Sequence, residues 1–316
     1  MKVGIDKMRT RQALIGGLAA VLLGSAVAGC GSDDGSSSDG RPTVVVTYSV
    51  LGSVVREAVG DAAEVVVLMP NGADPHEWAP SAKDIAMLEG ADLVVRNGLG
   101  LEGGLEDALD TAADDGVTTF VAADHVTVRR VGEGEGLPTD DPDQAVGAED
   151  PHLWMDPLAL RDVVTALGPV LDGLGIDTSA SVAATVADLT ALDGRVRDIV
   201  AEVPDDQRLL VTGHESLGWF ADRYGFRLIG AIVPSLSSAA EASSADLADL
   251  TRTITETGTR AIFTETGTPA SIAEAIASDT GVAVVELPTV SLPDDGTYDQ
   301  FLVANATLIA DALATP

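Results

Sequence analysis

The chain has 316 residues, 46% of them hydrophobic, and carries 18 Lys+Arg against 50 Asp+Glu for a net charge of −32. Such a surface repels polyanions, which excludes DNA, RNA and anionic lipid headgroups as partners. A single cysteine excludes a disulfide framework and any cysteine-rich metal site.

Lys2, Lys7, Arg9 and Arg11 precede an apolar run at 13–28 that is too short to cross a bilayer comfortably. Small residues, Val27-Ala28-Gly29, then lead to Cys30, the only cysteine. A basic start, a short apolar core and small residues before a cut site predict a secretory signal over 1–29. Cys30 stands where a bacterial lipobox places its lipidated residue; an ordinary signal with an incidental cysteine is the competing reading. Residues 30–42, rich in Gly, Ser and Asp, then form a lipid anchor and flexible tether. The expected location is the outer face of the cytoplasmic membrane. The chain beyond the signal is long enough for two domains.

The folded part opens with a β-branched strand at 43–48, a helix at 53–59 and a second strand at 64–68. A helix at 81–88, capped by Ser81, precedes a third strand at 92–96. A helix near 105–113 and a fourth strand at 118–121 follow. The strands are continuously apolar rather than alternating, which predicts a parallel sheet covered on both faces. Residues 130–150 are rich in Gly, Pro, Asp and Glu without an apolar period, and predict a long exposed loop. Helices follow at 158–174 and 179–203. The second has Val182, Val186, Leu189, Leu192, Val196 and Ile199 at helical spacing, and its length lets it bridge two lobes. Strands at 208–212, 227–233, 260–264 and 282–286 then alternate with helices at 244–256 and 269–278, and a helix at 298–313 closes the chain. The fold class is α/β, two lobes with parallel four-stranded sheets.

One phrase occurs twice, as Asp74-Pro75-His76-Glu77-Trp78 and as Asp150-Pro151-His152-Leu153-Trp154. A third patch holds His214 and Trp219. The chain has 4 His and 3 Trp, so these patches contain every Trp and all His but His125. Each of the three histidines ends or follows an element, and ligands of parallel α/β sheets bind at the carboxyl ends of strands. Neutral imidazole is the commonest metal ligand and three of them suit zinc. His76, His152 and His214 are therefore expected to converge on one metal ion, with the nearby tryptophans forming a dry surround. His125 lacks such company and reads as structural.

The stretch Met69-Pro70-Asn71-Gly72-Ala73-Asp74-Pro75-His76-Glu77-Trp78, with 91–102, 150–157, 214–225 and 297–301, resembles the zinc/manganese solute-binding lipoproteins of ABC importers. The resemblance covers nearly the whole chain beyond the signal. It implies two α/β lobes joined by one rigid helix, with the metal in the cleft between them. Residues 43–176 then form the N-terminal lobe, 177–204 the connecting helix and 205–316 the C-terminal lobe. It also implies ligands at His76, His152 and His214, a permease and its ATPase as partners, a monomer, and no catalysis. His at the third position resembles the zinc-binding members, and all-nitrogen ligation favours Zn²⁺ over Mn²⁺.

Two departures from the family pattern stand out. The position of the usual fourth, carboxylate ligand is occupied by Val290, leaving water, Asp294, Asp295 or Glu265 as alternatives. The 130–150 loop carries acids, among them Glu133, Glu135, Asp140, Asp141, Asp143 and Glu149, where several zinc members carry histidines. Three rival readings are a manganese- or iron-binding member, a surface lipoprotein with a purely structural metal, and a three-His zinc hydrolase with Glu215 as general base. Against the hydrolase, the chain has no His-Glu-x-x-His motif.

Overall fold

The computed structural model describes residues 40–136, 142–294 and 296–314. The predicted signal, Cys30, Asp140, Asp141, Asp295 and the side chain of Asp143 lie outside the described residues, as does the tether up to position 39.

The first lobe is built from β1 (Thr43–Val46), α1 (Ser49–Val59), β2 (Glu64–Val67), α2 (Ala82–Glu89), β3 (Leu93–Arg96), α3 (Glu106–Asp114) and β4 (Thr119–Val121). Its strands are all parallel, in the order β2-β1-β3-β4. Val44, Val45 and Val46 of β1 are fully buried, which is why this central strand reads as an unbroken apolar run. Ser81 caps α2 in a reciprocal arrangement with Asp84, as the sequence suggests. α1 starts four residues earlier than the pattern indicates. Gly52 lets α1 sit on β2: a Cβ there would come within 2.4 Å of the Val67 side chain.

α4 (Pro157–Gly173) and α5 (Ser179–Val200) follow. α5 spans about 33 Å at the usual rise per residue. It packs on α1 and α4. Leu189, Leu192 and Val196 are buried, with Val182, Val186 and Ile199 partly so.

The second lobe comprises β5 (Leu209–Thr212), α6 (Gly218–Tyr224), β6 (Arg227–Ala231), α7 (Ser244–Thr257), β7 (Ala261–Thr264), α8 (Ala270–Thr280), β8 (Ala283–Glu286) and α9 (Tyr298–Ala314). The order is β6-β5-β7-β8, again parallel throughout. α6 has no counterpart among the predicted elements, because seven residues are too few to display a helical period.

The main core is continuous between the lobes. It runs from β1 and α1 through α4 and α5 to Phe220, Phe263 and α9, while a smaller cluster around Val211, Ile229 and Ile262 fills the second lobe alone. α9 packs on β7 and β8 and also on α1 and α5, so it links the lobes alongside α5. Tyr298 at its start accepts no spare freedom: its N–H donates to Ser53 Oγ and its hydroxyl to the Trp154 carbonyl.

The described residues of 130–150 are mostly exposed, as expected, but a few buried points pin them to the body. Val131 and Gln144 are buried, Arg130 and Glu149 form an antiparallel bridge, and Gly136 N–H donates to Leu228 of β6. Buried Arg129 supplies the counter-charge that draws the loop inward, pairing with Glu135, Asp150 and Asp222. Among the described residues no helix is long and apolar enough to cross a membrane.

Candidate metal centre

The three histidines meet. His76 lies on the turn after β2, and His214 two residues beyond β5. His152 begins a 3-10 turn whose preceding carbonyl, that of Pro151, accepts from Asn97 at the end of β3. All three thus sit at the carboxyl ends of strands or are tied to one. His76 Nε2 is 3.3 Å from His152 Nε2, which is 3.1 Å from His214 Nε2. A tetrahedral zinc ion with Zn–N bonds of about 2.05 Å sets its nitrogens roughly 3.3 Å apart. Among the described residues this is the one group of three or more metal-ligating side chains so gathered.

The space between the rings is about 10 Å³. That is about the room that one water needs. Trp154, Pro75 and Val290 give it apolar walls. His152 and His214 are buried, whereas half-buried His76 also borders a larger cavity of about 490 Å³ lined by Leu99, Glu149 and Leu236. His76 is therefore the ring that faces the way in.

Carboxylates stand behind two of the rings. Asp150 Oδ1 accepts from His152 N–H at 2.9 Å and faces His152 Nδ1 at 2.8 Å; its Oδ2 accepts from Arg129 at 3.0 Å. Glu265 Oε1 faces His214 Nδ1 at 2.9 Å and accepts from His214 N–H at 3.0 Å. Its Oε2 accepts from Ser216 at 2.7 Å and Thr289 at 2.8 Å. A partner on Nδ1 leaves Nε2 of each ring aimed at the centre. The duplicated phrase has a common local design: Asp74 Oδ1 accepts from His76 N–H at 3.0 Å, as Asp150 does from His152. Asp74 then departs, offering Oδ2 to Ser238 of the other lobe at 2.7 Å.

Electrostatics keep His76 neutral. Burial, then the His152 and His214 rings, pull its pKa from 6.5 down to about 2. At His214 burial also pulls downward, but the charge and hydrogen bond of Glu265 outweigh it and the net direction is up. Burial alone would raise the Glu265 pKa; the His214 charge and hydrogen bonds, with Ser216, carry it down to about 2. Anionic Glu265 thus calls for a cation at His214, either a proton or a metal ion on the ring.

The alternatives for a fourth ligand are placed as follows. Val290 forms part of the cavity wall and offers no donor. Asp294 is exposed and does not line the cavity. Glu265 does line it, but its oxygens are engaged by four donors: the N–H and Nδ1 of His214 on Oε1, and Ser216 and Thr289 on Oε2. Glu215 is fully buried, with neither oxygen partnered, and lies against Gly136 rather than in the cavity. Burial foremost, then Glu135, push its pKa to about 8. A carboxyl protonated at neutral pH and turned away from the cavity is no general base for a hydrolase.

The tryptophans divide. Trp154 lines the cavity, with its ring 5.2 Å from that of His152. Trp219 donates to the Asp150 carbonyl at 3.0 Å. Trp78 does not line the cavity and packs against the core instead. His125 stacks on Phe120, away from the three histidines. Sequence reasoning missed the Asp150 and Glu265 supports. The repeated Asp two residues before His is the one local signal for the first; the second comes from 51 residues away along the chain.

The family model described as zinc-uptake complex component A, periplasmic (ZnuA), matches residues 44–312. The zinc-binding protein TroA of Treponema pallidum is 30% identical over 251 residues, 78% of this chain and 77% of TroA. The TroA structure matches with a TM-score of 0.73 at 27% identity, covering 87% of this chain and 100% of that one. The manganese-binding lipoprotein MntA of Halalkalibacterium halodurans is 29% identical over 266 residues, 81% of this chain and 82% of MntA. FimA of Streptococcus parasanguinis, a metal ABC transporter substrate-binding lipoprotein, is 25% identical over 306 residues, 93% of this chain and 96% of FimA. A family match that spans both sheets and all three histidines leaves one conclusion: the chain belongs to the ZnuA family.

Proposed function

We propose that this protein is the extracytoplasmic receptor of an ABC importer, that it captures Zn²⁺ with His76, His152 and His214, and that it hands the ion to a membrane permease served by an ATPase. The coarser part, a metal-binding receptor of the ABC-importer class and not an enzyme, follows from its family and relatives. The choice of zinc is the finer step. One observation carries it: three imidazole Nε2 atoms converge in a small space while Glu265, the acid nearest His214, has its oxygens taken by other donors. Nitrogen donors suit zinc, whereas manganese favours oxygen. Water completes the four-coordinate set in this reading, against the apolar wall of Val290 and Trp154. The manganese-binding name of MntA supports Mn²⁺ as the alternative cargo.

The ion is cargo, so each residue's task is to hold it and let it go. Neutral His76, on the entrance side, keeps its Nε2 lone pair free for the ion at the centre. His152 and His214 are held in orientation by Asp150 and Glu265. Calorimetric titration of chelator-stripped 31–316 with Zn²⁺ and Mn²⁺ tests the reading. Zinc is expected to bind more tightly, and the double variant His76→Ala, His152→Ala to lose binding. Unchanged zinc affinity in that variant removes the site; tighter manganese binding removes the selectivity.

The anchoring at Cys30 belongs to the same proposal, as do the domain limits 43–176, 177–204 and 205–316. Cys30→Ser is expected to shift the protein from the membrane fraction to the soluble one. Continued membrane retention of that variant counts against the lipid anchor.

A further inference from the structure

The loop after β8 crosses from the second lobe to the first as a strap, residues 287–292. Its second-lobe ties are Leu287 N–H to the Thr264 carbonyl and Thr289 Oγ1 to Glu265, both 2.8 Å, and Asn305 Nδ2 to the Pro288 carbonyl at 3.4 Å. Its first-lobe ties are the Thr289 carbonyl, which accepts from Trp154 at 2.8 Å, and the Val290 carbonyl, which accepts from Ser49 at 3.3 Å. Asn71 adds the last of these. Its Nδ2 donates to the Leu292 carbonyl and its Oδ1 accepts from Leu292 N–H, both at 2.8 Å. One side-chain amide thereby pairs with the strap as a neighbouring strand would. The fit extends to Gly72, at φ +81, where a Cβ would come 2.7 Å from Ser291 Oγ.

Thr289 and Val290, held between these ties, both line the metal cavity. Thr289 also donates to the carboxylate that orients His214. The ties differ in accessibility. Trp154 and Ser49 are buried, but Asn71 is exposed. Water can replace the bonds of an exposed pair, so it opens at lower free energy than the buried ones.

We propose that the Asn71–Leu292 pair is a clasp that holds the strap 287–292 closed over the metal centre and so sets how fast the metal leaves. Asn71 is a positioning residue; it touches no ligand. The proposal rests on the receptor reading above. With the clasp released, the strap is free at its Leu292 end, Val290 withdraws from the cavity wall, and Thr289 loosens its hold on Glu265. The uncharged amide is required for both bonds. An aspartate keeps the acceptor for Leu292 N–H but turns a second oxygen toward the Leu292 carbonyl, and an alanine loses both.

The test uses 31–316 as wild type, Asn71→Ala and Asn71→Asp, each loaded with Zn²⁺ and mixed with excess chromogenic chelator. Both variants are expected to release zinc on the order of tenfold faster, the loss of two exposed hydrogen bonds. The metal-free thermal midpoint is expected to fall by only about 2–4 °C, the size that such a loss gives a chain of this length, so the variants remain folded while release is read. Release rates indistinguishable from wild type in either variant overturn the clasp, as does a lowered midpoint with unchanged release. Wild-type protein that holds no zinc overturns the receptor reading and the clasp together; wild type that holds it, with unaltered variants, overturns the clasp alone.

Discussion

At the scale of single residues, the proposed ligand rings depend on what stands behind them. An imidazole binds a metal through one nitrogen, and the partner of the other nitrogen selects that atom. Asp150 and Glu265 do this for His152 and His214. Glu265 has a second effect. It raises the His214 pKa, so the proton remains on the ring to higher pH and competes with metal there. The sign follows: metal affinity rises with pH until His214 has lost its proton. Glu265→Gln removes the anion, leaving burial to pull the His214 pKa down. Zinc affinity at neutral pH is expected to fall about 10–100-fold through lost orientation, while the pH at which affinity levels off moves lower. Titrations across a pH series read both effects. An affinity profile superimposable on wild type denies Glu265 this role.

At the scale of elements, the short helix α6 joins the lobes electrostatically. Its first residue, Gly218, faces the buried ion pair behind His152: a Cβ there would come 2.3 Å from Asp150 Oδ2 and 2.4 Å from Arg129 Nη1. Trp219, next in the helix, donates to the Asp150 carbonyl, and Asp222, one turn on, accepts from Arg129. The helix therefore needs glycine for close approach and not for its dihedral angles. Gly218→Ala is expected to cost about 1–3 kcal/mol of stability from overpacking and to weaken zinc binding by displacing Asp150. Denaturant unfolding and calorimetry together check this; a stable variant with wild-type affinity refutes it.

At the scale of the whole molecule, two struts and one core limit how far the lobes move. α5 packs on α1 and α4, α9 joins α1 and α5 to β7 and β8, and the main hydrophobic cluster passes through both lobes. Opening the cleft by a hinge would break apolar contacts of two helices at once, which is costly relative to moving one surface loop. Small-angle scattering of 31–316 with and without zinc is expected to give the same radius of gyration. A compaction on binding of the size seen in hinge-closing receptors contradicts that rigidity. Metal is also expected to raise the thermal midpoint by mass action, with the metal-free protein still folded. Loss of the fold on chelation instead favours a structural metal.

Most of the architecture is legible in the amino-acid sequence. Unbroken Val runs such as 44–46 mark strands covered on both faces, and Leu189, Leu192 and Val196 at helical spacing mark α5, because both patterns repeat within a few residues. The three histidines stood out because rare residue types recurred in matched phrases. Tertiary structure alone decided which acid stands behind which ring, that Val290 walls the cavity while Asp294 stays at the surface, that Glu135 and Asp150 turn inward to Arg129, and that Asn71 meets Leu292 from 221 residues away. The physical reason is the range of the contacts. Secondary structure follows a local period that sequence displays directly, whereas a carboxylate's role depends on which distant segment folds against it, and no local period records that.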